Sequence, residues 1–172
     1  DYGGDVDGYV GHVSADGSQL LHCTYNGTED FDQNFFVQLD TEGMVYVVGQ
    51  TLGDYPVEGN VFFTNLGKQY ILKFSADLTT SEWSTTIGSL NAQINFTPSA
   101  FLVSNCGQIY ISGWGGALTG NGTSVTMAGL PLTADAFQSS TDGNDFCIIV
   151  LSPEAEELVY AKIHVDGFDL KK

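Results

Sequence analysis

The chain has 172 residues, 21 of them acidic and 5 basic, for a net charge of −16. That balance leaves no cationic surface to neutralise phosphates, so nucleic acid and anionic membrane surfaces are excluded as partners. Hydrophobic residues make up 42% of it and 21 residues are glycine without a strict period, which excludes both disordered and collagen-like chains.

No apolar run approaches the roughly 18 residues of a membrane span, so membrane insertion is not expected. No basic segment followed by an apolar one reads as a signal peptide. The chain opens in mid-pattern at Asp1, and the expectation is a piece of something longer. The acidity reads as solubility ahead of cation binding, and Ca2+ is the one cofactor it leaves open.

Residues 1–7 form an acidic lead-in. Strands are predicted over 8–13 and 19–25, joined by a turn at Ser14-Ala15-Asp16-Gly17-Ser18. The run 36–51 holds two apolar-rich strands around Asp40-Thr41-Glu42-Gly43, a hairpin in which Gly43 supplies a positive φ. Strands then follow over 69–74 and 81–87, joined through Ser75-Ala76-Asp77. At 100–114 the second hairpin returns 64 positions on: Gly107 stands for Gly43, and Ile109-Tyr110-Ile111 for Val45-Tyr46-Val47. Each copy continues to a glycine, Gly49 or Gly113. Residues 115–129 have the composition of an inserted loop, placed on a rim. Strands over 146–151 and 157–163 close the series, joined through Ser152-Pro153-Glu154, so that Ser14, Ser75 and Ser152 mark one register.

No stretch sustains a helical period. The fold class is all-β: four-stranded antiparallel meanders repeated as the blades of a β-propeller, ahead of a β-sandwich array. Residues 1–172 make one fragment, with a half blade at 8–25 and blades at 34–88 and 100–163. About two and a half blades cannot close a ring of roughly four to eight, so further blades or a partner must cover the edges.

Three cysteines, Cys23, Cys106 and Cys147, have no metal-binding spacing. Cys23 and Cys147 lie in strand patterns and are expected to be small buried hydrophobes. Asp5 and Asp7 among glycines, and Glu29, Asp30 and Asp32 further on, read as solvated acidic turns, since neither run has the spacing of a calcium loop. His12 and His22 are placed to face one another across the first hairpin. No Gly-x-Ser-x-Gly elbow occurs, and no residue is assigned a catalytic, cofactor-binding or metal-binding role. Three Asn-x-Thr triplets, at Asn26, Asn95 and Asn121, read as chance.

Trp114, flanked by Gly113, Gly115 and Gly116, has the character of a ring that stacks on a sugar or anchors a partner, although packing between blades is the favoured reading. Trp114, Gly115, Gly116 and Asn121, with Asp54 and Tyr55, constitute the candidate ligand or partner surface.

Residues 7–25, with Leu39-Asp40 through Gly43, Val45-Tyr46-Val47, Gly49 and Asp54-Tyr55-Pro56, resemble the two halves of the seven-bladed β-propeller (SBBP) repeat. The runs Asn105 to Gly116 and Leu130 to Gly143 are similar to segments of large secreted Bacteroidetes proteins that carry gliding-motility-associated or type IX secretion signals. The resemblance spans residues 3 to about 163. It implies an extracellular or cell-surface propeller module without catalytic residues, serving adhesion, scaffolding or protein–protein interaction. Its partners would be envelope proteins or the remaining blades of the same protein. Export machinery as partner is the alternative, and a carbohydrate-binding or carbohydrate-active propeller the second.

Overall fold

The computed structural model describes Gly4, residues 6–115 and residues 125–164. Ten strands form three sheets, and no α-helix occurs among the described residues. Strands β1 (Gly8–Val13) and β2 (Leu20–Asn26) make a two-stranded half blade. Strands β3 (Asp32–Leu39), β4 (Val45–Thr51), β5 (Gln69–Phe74) and β6 (Ser81–Ile87) form one antiparallel meander. Strands β7 (Thr97–Val103), β8 (Ile109–Trp114), β9 (Phe146–Leu151) and β10 (Leu158–His164) form the second. The all-β, blade-by-blade expectation therefore holds. Among the described residues the sheets do not close into a ring.

The turns explain why the repeat recurs in sequence. Gly43 and Gly107 sit at φ 83° and 82°, a left-handed conformation that disfavours any residue with a Cβ. The Asp40 carboxylate accepts from the amides of Glu42 and Met44, and Ser104 Oγ accepts from that of Gln108. The serine register has an equally local cause. The hydroxyls of Ser14, Ser75 and Ser152 each accept from the amide five residues on, Gln19, Thr80 and Glu157, at 3.0, 3.0 and 2.9 Å. Ser14 and Ser75 in turn donate to Asp16 and Asp77 at 2.6 and 2.7 Å, which lowers both carboxyls to about 2.

Packing is head to tail. One face of the first meander, with Tyr46, Val48, Ile71, Trp83 and Ile87, lies against Phe101, Val103, Ile109, Ile111, Cys147, Ile149 and Leu151 of the second. The opposite face, with Val45, Val47, Tyr70, Leu72, Phe74 and Leu78, packs against Val10 of the half blade and Tyr55. Because both faces are covered, every residue of β4 and β5 is buried, and period-two patterning disappears from them. In β8 the alternation survives, since one face of the second meander is open.

Glu154 joins the two meanders. It sits at φ 59° in the β9–β10 turn and reaches back to accept from Lys73 Nζ at 2.6 Å and Trp83 Nε1 at 2.9 Å. Lys73 also lies 5.2 Å from the centre of the Tyr46 ring. Burial works against the Lys73 charge, but its hydrogen bonds to Glu154 and Tyr46 outweigh that and hold the ammonium above its ordinary range.

Three expectations are corrected. Cys23 is exposed, because its strand belongs to a half blade with only one face packed, whereas Cys147 is buried. Asp32 is no solvated loop acid: it opens β3, fully buried, and accepts from the amide and hydroxyl of Thr28 at 2.5 and 2.9 Å. The end of the supposed rim insertion is core. Val125 and Met127 are buried, held by Asn95 Nδ2 donating to the carbonyls of Thr126 and Ala128. Residues 116–124 lie outside the described residues.

Glu154→Ala should destabilise the protein by about 1–3 kcal/mol in urea unfolding, because it leaves Lys73 and Trp83 Nε1 without their acceptor. An unchanged midpoint would contradict the role given to Glu154. Asp77 should ionise near pH 2 in an NMR titration, and Ser75→Ala should raise that value toward 3.8. The native carboxyl binds its proton less tightly than the unfolded one. Its contribution to stability is therefore complete above about pH 4 and is lost as the pH falls toward 2.

Candidate binding surface

The residues proposed as a ligand or partner surface separate into two places. Asp54 and Tyr55 follow β4, where Lys68 organises the loop. Its buried ammonium donates to the carbonyls of Leu52 and Gly53 at 3.2 and 2.5 Å and pairs with Asp54 at 3.2 Å. Tyr55 stacks on Tyr70 with ring centres 4.1 Å apart and planes 16° from parallel. Tyr70 donates to Asn34 Oδ1 at 2.7 Å, and Asn26 Nδ2 donates to Tyr70 and Tyr55 at 3.1 and 3.4 Å. Burial pushes both phenols well above their ordinary value. One face of Tyr55 is therefore already occupied, and the ring fixes the half blade on the first meander. A cleft of about 280 Å³ beside it is lined by Asp54, Phe63, Thr64, Leu66 and Thr86.

Trp114 ends β8 opposite Thr97 and Phe146. Its neighbour Gly113 points the other way, into the contact with the first meander, where an added Cβ would lie 2.3 Å from the Phe96 ring. Trp114 itself is half-buried on the open face of the second meander, as are Tyr110 and Ser112 on β8 and Phe146 and Ile148 on β9. Lys162 completes this face, 4.7 Å from the centre of the Tyr160 ring and 3.0 Å from Asp135. Gly115 is buried for a structural reason. Its amide donates to the Asp145 carbonyl, and a Cβ there would meet the Gly143 carbonyl at 2.4 Å. Gly116 and Asn121 lie outside the described residues.

Among the described residues no group of three or more His, Cys, Asp or Glu side chains is placed to hold a metal ion. Asp5, one of the five acids considered for a cation, is outside them. His12 and His22 do face each other, stacked at 6.0 Å in register across the half blade, and His164 is the last residue of β10. Asn26 and Asn95 are buried with their amides engaged, so neither is open to glycosylation.

Two surface features escaped the sequence reading. Phe137 is 98% exposed on a loop that frames a cleft of about 620 Å³ with Gln138 to Asp142 and Asp145. A larger cleft, about 830 Å³, runs between β1 and β3 and is lined by Tyr9, Val10, His12, Phe35, Val37 and Leu39. Loop composition hints at the first; the second is created by how two separate hairpins pack, and no local pattern encodes it.

Comparison with family models and with curated proteins finds no match.

The thiols give a direct check of this geometry. Cys147 is buried and pushed up to about 12, whereas Cys106 is exposed and drawn below its ordinary value by hydrogen bonds from Ser104 and the Gln108 amide. A disulfide exchange reagent should label two thiols in the native protein, Cys106 and Cys23, and a third only after unfolding. Rapid labelling of all three would mean that the second meander is not packed on the first.

Proposed function

We propose that this protein is a non-catalytic β-propeller module of a large secreted or cell-surface bacterial protein, with adhesion, scaffolding or protein–protein interaction as its work. One observation carries the reading. The open face of the second meander repeats, position for position, the face that the first meander buries. Tyr110, Trp114, Phe146 and Ile148 stand where Tyr46, Gln50, Gln69 and Ile71 stand one blade earlier, with the same strand pairings. Tyr110, Trp114, Phe146 and Ile148 are half-buried, whereas Tyr46, Gln50, Gln69 and Ile71 are buried.

An aromatic and aliphatic face of this kind is suited to a protein partner. The acidic balance, with 21 acidic and 5 basic residues, favours solubility and disfavours nucleic acid. The resemblance of the hairpins to the SBBP repeat supports the secreted setting.

Intact-mass measurement on protein from its native source, with peptide mapping beyond both ends of this sequence, tests the proposal. The expected result is a parent well above 18.4 kDa whose peptides contain further Val-Tyr-Val-x-Gly hairpins. A mass of 18.4 kDa would sink the multi-blade reading.

A further inference from the structure

We infer that His12 and His22 form a two-imidazole site for a divalent transition-metal ion of the zinc and copper class. The two residues are direct partners across β1 and β2, and their ring centres lie 6.0 Å apart with planes 30° from parallel. Both are exposed, so their ring nitrogens are open to an ion from solution. Imidazole suits zinc, copper and nickel, whereas hard cations such as Ca2+ take oxygen ligands. A tetrahedral ion held by two imidazole nitrogens at about 2.0–2.1 Å sets the ring centres about 5 Å apart. Closing from 6.0 Å to that spacing takes small side-chain rotations and no movement of either strand.

The register that brings the rings together is fixed inside one hairpin. Ser14 closes the β1–β2 turn: its amide donates to the Gln19 carbonyl at 2.8 Å, and its hydroxyl accepts from the Gln19 amide at 3.0 Å. A bulge between His12 and Val13 then shifts the ladder on the turn side of the pair. Bulges of this kind re-aim the side chains beside them. The pairing therefore does not depend on what lies next to the half blade.

The next repeat shows why these rings are available to a ligand. Lys73 and Trp83 are paired in the same way on β5 and β6, with the bulge at the same place. There both side chains donate to Glu154, two residues after Ser152 in the β9–β10 turn. The corresponding acid for the half blade is Asp77, two residues after Ser75. Asp77 accepts instead within its own turn, from the Ser75 and Thr79 hydroxyls at 2.7 and 2.8 Å. The acid that engages the pair position one repeat later is thus held locally here, and two imidazoles stand in place of a lysine and a tryptophan. Any two aromatic rings would serve as a stacked cross-strand pair, but two imidazoles add a pair of nitrogen donors for a metal. Cys23 does not join them, because it pairs with Gly11 and so lies on the other face of the hairpin.

Zinc chloride titrated into the whole protein tests the site, followed by calorimetry and by the ring C–H signals of the histidines in NMR. One equivalent should bind with half-saturation in the micromolar range and move the His12 and His22 signals together, leaving that of His164 in place. His12→Ala and His22→Ala should each weaken binding more than tenfold, while Cys23→Ser and His164→Ala leave it unchanged. Both imidazoles are exposed, and protection of the buried Cys147 thiol reports that each variant stays folded. Amide exchange in β1 and β2 should slow with zinc, because one ion clips the two strands together. Half-saturation only in the millimolar range, the level of a lone histidine, overturns the inference. So does binding that survives His12→Ala, binding that is lost with Cys23→Ser, or an equal response of the two histidine signals to Ca2+.

Discussion

A β-sheet that is apolar on both faces must be covered twice, and the structure follows from satisfying that requirement at β4 and β5. Their side chains leave no polar face to offer water, so the half blade takes one side and the second meander the other. Burial of this kind is non-directional and would tolerate sliding. Directional groups remove that freedom. Glu154 ties the β9–β10 turn to Lys73 and Trp83, and the Asn26–Asn34–Tyr70 network ties the half blade to the first meander. Each uses polar atoms that would be costly to bury unpaired, so the aligned packing is favoured over a shifted one.

The same stacking explains why glycine follows the apolar–Tyr–apolar core in both copies. At Gly49 an added Cβ would lie 2.4 Å from both the Gln33 carbonyl and the Tyr70 ring, and at Gly113 it would lie 2.3 Å from the Phe96 ring. The glycines are places where an aromatic ring is laid on bare backbone. Polar side chains between the meanders are likewise consumed by structure. Gln69 donates to the Phe96 carbonyl and accepts from the Asn95 amide, and Asn95 holds the end of the insertion.

Head-to-tail stacking differs from a symmetric contact in that it never saturates by itself. Each blade that covers its predecessor presents a fresh face of the same kind, until a ring closes or a partner intervenes. The half-buried aromatics on β8 and β9 lie on one such face, and the cleft beside β1 lies on the other.

Strand positions, turn positions and the repeat were legible in the residues because their causes are local. Gly43 and Gly107 need a positive φ, the three register serines cap amides five residues on, and alternation marks a half-covered strand. The candidate surface was legible only in part: Trp114 does lie on an open face, but Tyr55 and Gly115 owe their character to packing. Burial of Asp32 and Met127, exposure of Cys23, the reach of Glu154 and the cleft at β3 were decided by the tertiary structure alone. In each, a residue's environment is set by a neighbour from another part of the chain. The physical reason is one of range: backbone conformation and hydrogen-bonded turns are fixed within a few residues, whereas which face is covered depends on the blade beside it.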